Sequence, residues 1–164
     1  MKTTGYMLQQ SIRECTEERD LADSRFEGSL KAFPDEDKPS PLKLAEEIDA
    51  AERRIALLQT AQARYNLAVS VEIDGRSAPL QEAVKLLGGA QRVEKKWRDA
   101  VKEEVDRYGG SVRDKDSIVA VRQVNSAQCA DLARGAAKRV RAIHYAIQKG
   151  NATEVDLSGD LGLA

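Results

Sequence analysis

Few residues in this chain are of a type and spacing that does chemistry. His144 is its single histidine. A general base or a metal ligand needs company, and one turn back along a helix His144 has Val140 and Arg141. Di-iron bundles use Glu-x-x-His pairs on facing helices; Arg141 stands at that glutamate position, so this chemistry is not expected. Cys15 and Cys129 are too few for a disulfide framework and lack metal-ligand spacing. The glycines of "LLGGAQRVEKK" have neither the spacing nor the strand-loop-helix setting of a phosphate loop. Clusters such as "EERD" and "DEDK" read as solvated surface. No catalytic residue, metal ligand or cofactor-binding residue is assigned, and no cofactor is expected.

Cations are the more informative charges. Residues 1–66 carry 10 basic and 13 acidic side chains, a net −3. Residues 122–149 carry six basic (Arg122, Arg134, Lys138, Arg139, Arg141, Lys149) against Asp131, a net +5. Such a segment meets phosphates, or it faces acidic partners within the chain or across an interface. The only aromatic interleaved for base stacking is Tyr145, and the whole chain is at −1, so complementarity to acidic protein is the first reading. Polyanion or nucleic-acid binding through 122–149 is the alternative. A third reading is a small-ligand or enzyme site near Arg76, Arg122 and His144, with Arg76 and Arg122 otherwise forming surface ion pairs. Possible-contact residues are thus Arg76, Arg122, Arg139, Arg141 and His144.

The elements that must position these groups are helices. The 164 residues are 32% charged and only 4% aromatic, a composition that suits long helices better than sandwiches or barrels. Leu8, Ile12, Cys15, Arg19, Ala22, Phe26, Ser29 and Phe33 step by four and three, one stripe of a helix packed at a shallow angle. The proline-rich "FPDEDKPSP" ends it. Leu44, Ile48, Ala51, Ile55, Leu58, Gln62, Tyr65 and Val69 make the second stripe, with Ser40-Pro41 as its start. A third runs from Ala83 through Trp97 to Tyr108, weakened or bent at Gly88-Gly89 and ended by Gly109-Gly110. The fourth uses Cys129, Leu132, Ala136, Val140, Ile143 and Ile147, with Asn125 or Ser126 as cap and Gly150-Asn151 as stop. The expected fold is all-α: an antiparallel bundle of four long helices with two short extended interruptions.

The interruptions are "VSVEIDG" (69–75), which alternates apolar and polar residues into the Asp74-Gly75 turn signal, and "SIVAVRQV" (117–124), rich in β-branched residues. They read as strands, paired with each other or across a subunit interface, or as extended loops on the bundle. Residues 1–150 are expected to form one domain. The tail 151–164 then lies on the bundle or on a neighbouring subunit through Val155, Leu157, Leu161 and Leu163.

Asn66, Asp74-Gly75-Arg76, Leu80 and Glu82-Ala83 resemble the central segment of a family of small bacterial helical proteins called septicolysin-like. Val121-Arg122, Val124, Leu132, Ile147-Gln148, Asn151, Thr153 and Leu157 resemble its closing helix and tail. Ala152 stands where that pattern carries an aromatic. The resemblance implies a compact helical protein of unknown function; the lysis in the label is not expected, since no long alternating hairpin is present. No apolar run reaches the roughly 20 residues of a membrane span, and the N-terminus has no signal-peptide pattern. The reading is a cytoplasmic homo-oligomer acting through self-assembly or a protein partner, with no membrane contact.

Overall fold

The computed structural model describes residues 2–33, 35–106 and 123–157. Among these residues the fold is all-α apart from two short strand pairs. In chain order the elements are β1 (Lys2–Thr3), α1 (Gly5–Ser29), α2 (Pro41–Ala68), β2 (Ser70–Ile73), β3 (Arg76–Pro79), α3 (Leu80–Asp106), α4 (Ser126–Asn151) and β4 (Val155–Asp156).

Contacts divide the chain into two compact units. One holds α1, α2, the first residues of α3 and the chain from Lys149 onward; the other holds Val71–Ala78 and Glu82–Gln148. Residues 151–157, on the far side of the boundary that the sequence reading draws at Gly150, group with α1 and α2.

Within the first unit, α1 and α2 pack antiparallel. Gly5 lies beside Tyr65, Glu18 pairs with Arg54, and Arg19 pairs with Glu52. Buried positions recur every seven residues on α1: Leu8, Cys15, Ala22 and Ser29. On α2 they are Leu44, Ala51 and Tyr65, with half-buried Leu58 between. That repeat keeps one seam facing the partner helix along its whole length. Arg19, the polar member of the α1 stripe, sits at the seam's edge and donates to Asp20 and Glu52, which hold its pKa above the usual guanidinium value.

Caps follow local chemistry. The Thr4 hydroxyl accepts from the Met7 N–H at 3.2 Å to start α1. Asn125 and Gln128 exchange side-chain to backbone hydrogen bonds (2.8 and 3.1 Å), a reciprocal box that opens α4. At the start of α2 Ser40 makes no side-chain cap bond; Pro41 sets the first turn instead.

Two expectations are corrected. The α1 stripe was read through Phe33, but the helix ends at Ser29 and Phe33 is 80% exposed. The Ser29 hydroxyl donates to the Phe26 carbonyl, the kind of local bond that competes with helix continuation. Helix α3 runs through Gly88-Gly89, as the third stripe has it. The partner of strand 70–73 is 76–79, across a two-residue turn in which Asp74 and Gly75 both take positive φ (52° and 78°). That pattern suits a tight hairpin and explains the Asp-Gly pair. Val71, Ile73 and Ala78 are buried and Ser70 and Glu72 exposed, so the alternation is that of a half-buried strand. Residues 123 and 124 are not in a strand; 117–122 and Gly109-Gly110 lie outside the described residues.

Candidate functional site

Arg76 ends the hairpin turn and closes on Glu82 in the first turn of α3. Arg139 donates through Nε (3.1 Å) and Nη2 (2.9 Å) to Asp74 Oδ2, tying the turn to α4 across 65 sequence positions. Arg134 closes on Asp131. Arg141 and His144 are exposed on α4, and Arg122 lies outside the described residues. Among the described residues, then, Arg76 and Arg139 each have a carboxylate partner. No group of three or more His, Cys, Asp or Glu there is arranged to hold a metal. Exposed pairs of this kind are worth roughly 0–1 kcal/mol each, so they fix the hairpin's orientation more than they add stability.

In the tail, Val155 pairs with Thr3 and Lys2 with Asp156 in an antiparallel ladder between β4 and β1. Leu157 is buried, 7% exposed. Leu161 and Leu163 lie outside the described residues. The ladder sits on a polar knot. Tyr65 is fully buried, and its hydroxyl lies 2.7 Å from both the Gly150 and Thr153 carbonyl oxygens, to which it donates. The Gly5 backbone N–H donates to the same oxygen, and burial pushes the Tyr65 pKa above 10. A Cβ on Gly5 would overlap Asn151 Oδ1 and stand 2.9 Å from Tyr65 Cε1, so only glycine lets these backbones approach.

Sequence reasoning missed a different surface. Along one side of the α1–α2 pair runs a groove lined by Ser11, Glu14, Cys15, Glu18, Leu57 and Leu58, continued by Leu21, Glu47, Ala50, Ala51 and Arg54. Glu14, Glu18, Leu21 and Arg25 step by four, three and four on α1; Glu47, Ala50, Arg54 and Leu57 step by three, four and three on α2. Each set therefore forms a single helix face beside the buried seam. Leu21 is 53% and Leu57 44% exposed. The Glu18–Arg54 pair bridges the groove at 3.1 Å. The signal was present in the sequence as a second stripe offset from the first, but its charged ends made it look like ordinary solvated surface. Large apolar groups also stand free where α1 passes into α2: Leu30, Phe33 and Leu42, the last 78% exposed.

This fold has a counterpart. The chain is similar to a functionally unknown conserved protein from Corynebacterium diphtheriae, known from its crystal structure, with a TM-score of 0.72 over 95% of this chain and 100% of that one. Identity is 16%, so the likeness carries the fold alone. No protein-family model matches the chain, and no curated protein does. Among the described residues no helix is long and apolar enough to cross a membrane.

Proposed function

We propose that this chain is a non-catalytic helical protein that works by associating with other proteins, first of all with copies of itself. One observation carries the reading: on the α1–α2 pair Leu21 and Leu57 flank a groove that reaches the buried seam at Cys15 and Ala51. A helix pair gains stability by covering such a face with further helices. The septicolysin-like resemblance is compatible with it, because it implies a compact helical protein of unknown function. A cytoplasmic setting agrees too, as Cys15 and Cys129 are buried free thiols.

Sedimentation or light scattering on the full chain tests this. The expected mass is at least twice 18.0 kDa at micromolar concentration. A single 18.0 kDa species across that range overturns the proposal.

A specific observation supports a second reading. Lys138 and Arg141 are exposed on α4 and make no ion pair among the described residues, while Arg134 and Arg139 have theirs. Two or three free cations on a helix without acids after Asp131 suit a weak polyanion contact, with affinity that falls steeply as salt rises. The wild-type chain is then retained on heparin at about 50 mM salt, and Lys138→Glu with Arg141→Glu releases it. Wild-type flow-through at that salt removes this reading.

A further inference from the structure

We propose that Asp74-Gly75 is a modification site, where the backbone isomerises to isoaspartate, and that Arg139 is the positioning residue that restrains the reaction in the folded chain.

The chemistry belongs to the dipeptide. The Gly75 backbone nitrogen attacks Cγ of the Asp74 carboxyl group. An N–Cγ bond forms, and the carboxyl hydroxyl leaves with the amide hydrogen as water. The product is a cyclic imide. Water then adds to one of its two carbonyl carbons and breaks that carbon's bond to nitrogen. Opening at the side-chain carbonyl restores aspartate. Opening at the main-chain carbonyl leaves Gly75 joined through Cγ, with the former backbone carbonyl now a free carboxylate. One water leaves and one returns, so the composition is unchanged, but the main chain is longer by an atom.

Several features place the reaction here. The chain has one Asp-Gly pair, at 74–75, and no Asn-Gly. Gly75 carries no Cβ to obstruct its own nitrogen, and a Cβ built there would meet nothing within 4 Å. The Asp74 side chain is 50% exposed, so water reaches the imide. The turn itself dictates the pair. Positive φ at both positions (52° and 78°) is what a two-residue hairpin needs, and Asp-Gly supplies it. A turn that tight has no room for an extra main-chain atom, so isoaspartate breaks the register of β2 with β3.

Arg139 opposes this chemistry. It reaches the turn from α4, 65 positions along the chain, and donates through Nε at 3.1 Å and Nη2 at 2.9 Å to the single oxygen Oδ2. The carboxyl group has to leave that fork before Cγ can swing back onto the Gly75 nitrogen. Both partners are more than a third exposed, so salt weakens the hold.

Tryptic mapping of the full chain after incubation at neutral pH and physiological temperature tests the proposal. Cleavage after Arg64 and Arg76 releases peptide 65–76, in which Asp74 is the sole aspartate. Isoaspartate there is counted by its shifted retention and by methyl transfer from an isoaspartyl methyltransferase. Arg139→Gln is expected to isomerise about two- to fivefold faster than wild type, the factor an exposed ion pair is worth. Arg139→Lys, which keeps the charge without the fork, falls between them. Strong salt raises the wild-type rate to that of Arg139→Gln and leaves the variant unmoved, because screening removes only a pair that exists. Circular dichroism of both variants should match wild type, which separates restraint from unfolding. Equal rates in wild type and Arg139→Gln, or the same response to salt in both, overturn the role of Arg139. Peptide 65–76 free of isoaspartate in Arg139→Gln after several weeks overturns the site.

Discussion

Gly5→Ala is expected to lower the melting temperature by about 4–8 °C. In most helix positions the change would help by up to roughly 1 kcal/mol. Here the new methyl group overlaps the Asn151 side chain and stands 3.1 Å from Asn151 Cα, so backbone as well as side chain must move. Overpacking of that kind costs about 3 kcal/mol, which leaves a net loss of about 2 kcal/mol. For a chain of this length each kcal/mol corresponds to about 2–4 °C. The damage should concentrate at the ladder of β1 with β4, so amides of 2–5 and 150–156 would exchange faster while those of α4 near Cys129 hold. An alanine variant as stable as wild type would mean that this close approach does not form.

Tyr65→Phe is the second large effect, expected at about 2 kcal/mol by urea unfolding. The ring remains, so the loss isolates the hydroxyl. Two carbonyl oxygens, of Gly150 and Thr153, lose their donor at 2.7 Å, and the Gly5 N–H loses its acceptor. Leaving buried polar groups without a partner costs about 1–3 kcal/mol. A pH signature accompanies it. Burial raises the folded-state pKa of Tyr65 above its unfolded value of 10.0. The folded state therefore keeps its proton where the unfolded state has lost it. The contribution is whole below pH 10.0 and is lost as pH rises through the folded-state value. Wild type should lose stability in that alkaline window, and the phenylalanine variant should show a shallower decline. Equal slopes in both would mean that Tyr65 is not the group responsible.

Much of the scaffold was legible because its rules are local. Four-three spacing marks helices, Ser40-Pro41 and Asn125 mark starts, and Asp74-Gly75 marks a turn. The second strand of the hairpin was not legible, because Arg76, Ser77, Ala78 and Pro79 carry little strand propensity. Their conformation is imposed by the turn and by pairing with Ser70–Ile73 rather than by their own side chains. The β-branched run 117–124 drew that assignment instead. The charges divided the same way. That residues 122–149 are basic is a count, but which cation meets which acid depends on contacts 33, 36 and 65 positions apart, such as Arg19 with Glu52, Glu18 with Arg54, and Arg139 with Asp74. Tyr65 was read as one more apolar member of a stripe; its hydroxyl mattered because the two chain segments it joins come from either end.

The repeat of seven along Leu8, Cys15, Ala22 and Ser29 has a consequence for how such a protein can change over time. Adding or removing one residue midway along α1 turns everything beyond it by about 100°. A deletion would then swing Asp23 into the position of Ala22, and no repacking hides a charge there. Side-chain replacement in the seam is tolerable where volume is kept, but length is quantised. Deletions and insertions in these two helices should survive only in whole repeats, matched on both arms, with all other variation in chain length pushed into the turn between them.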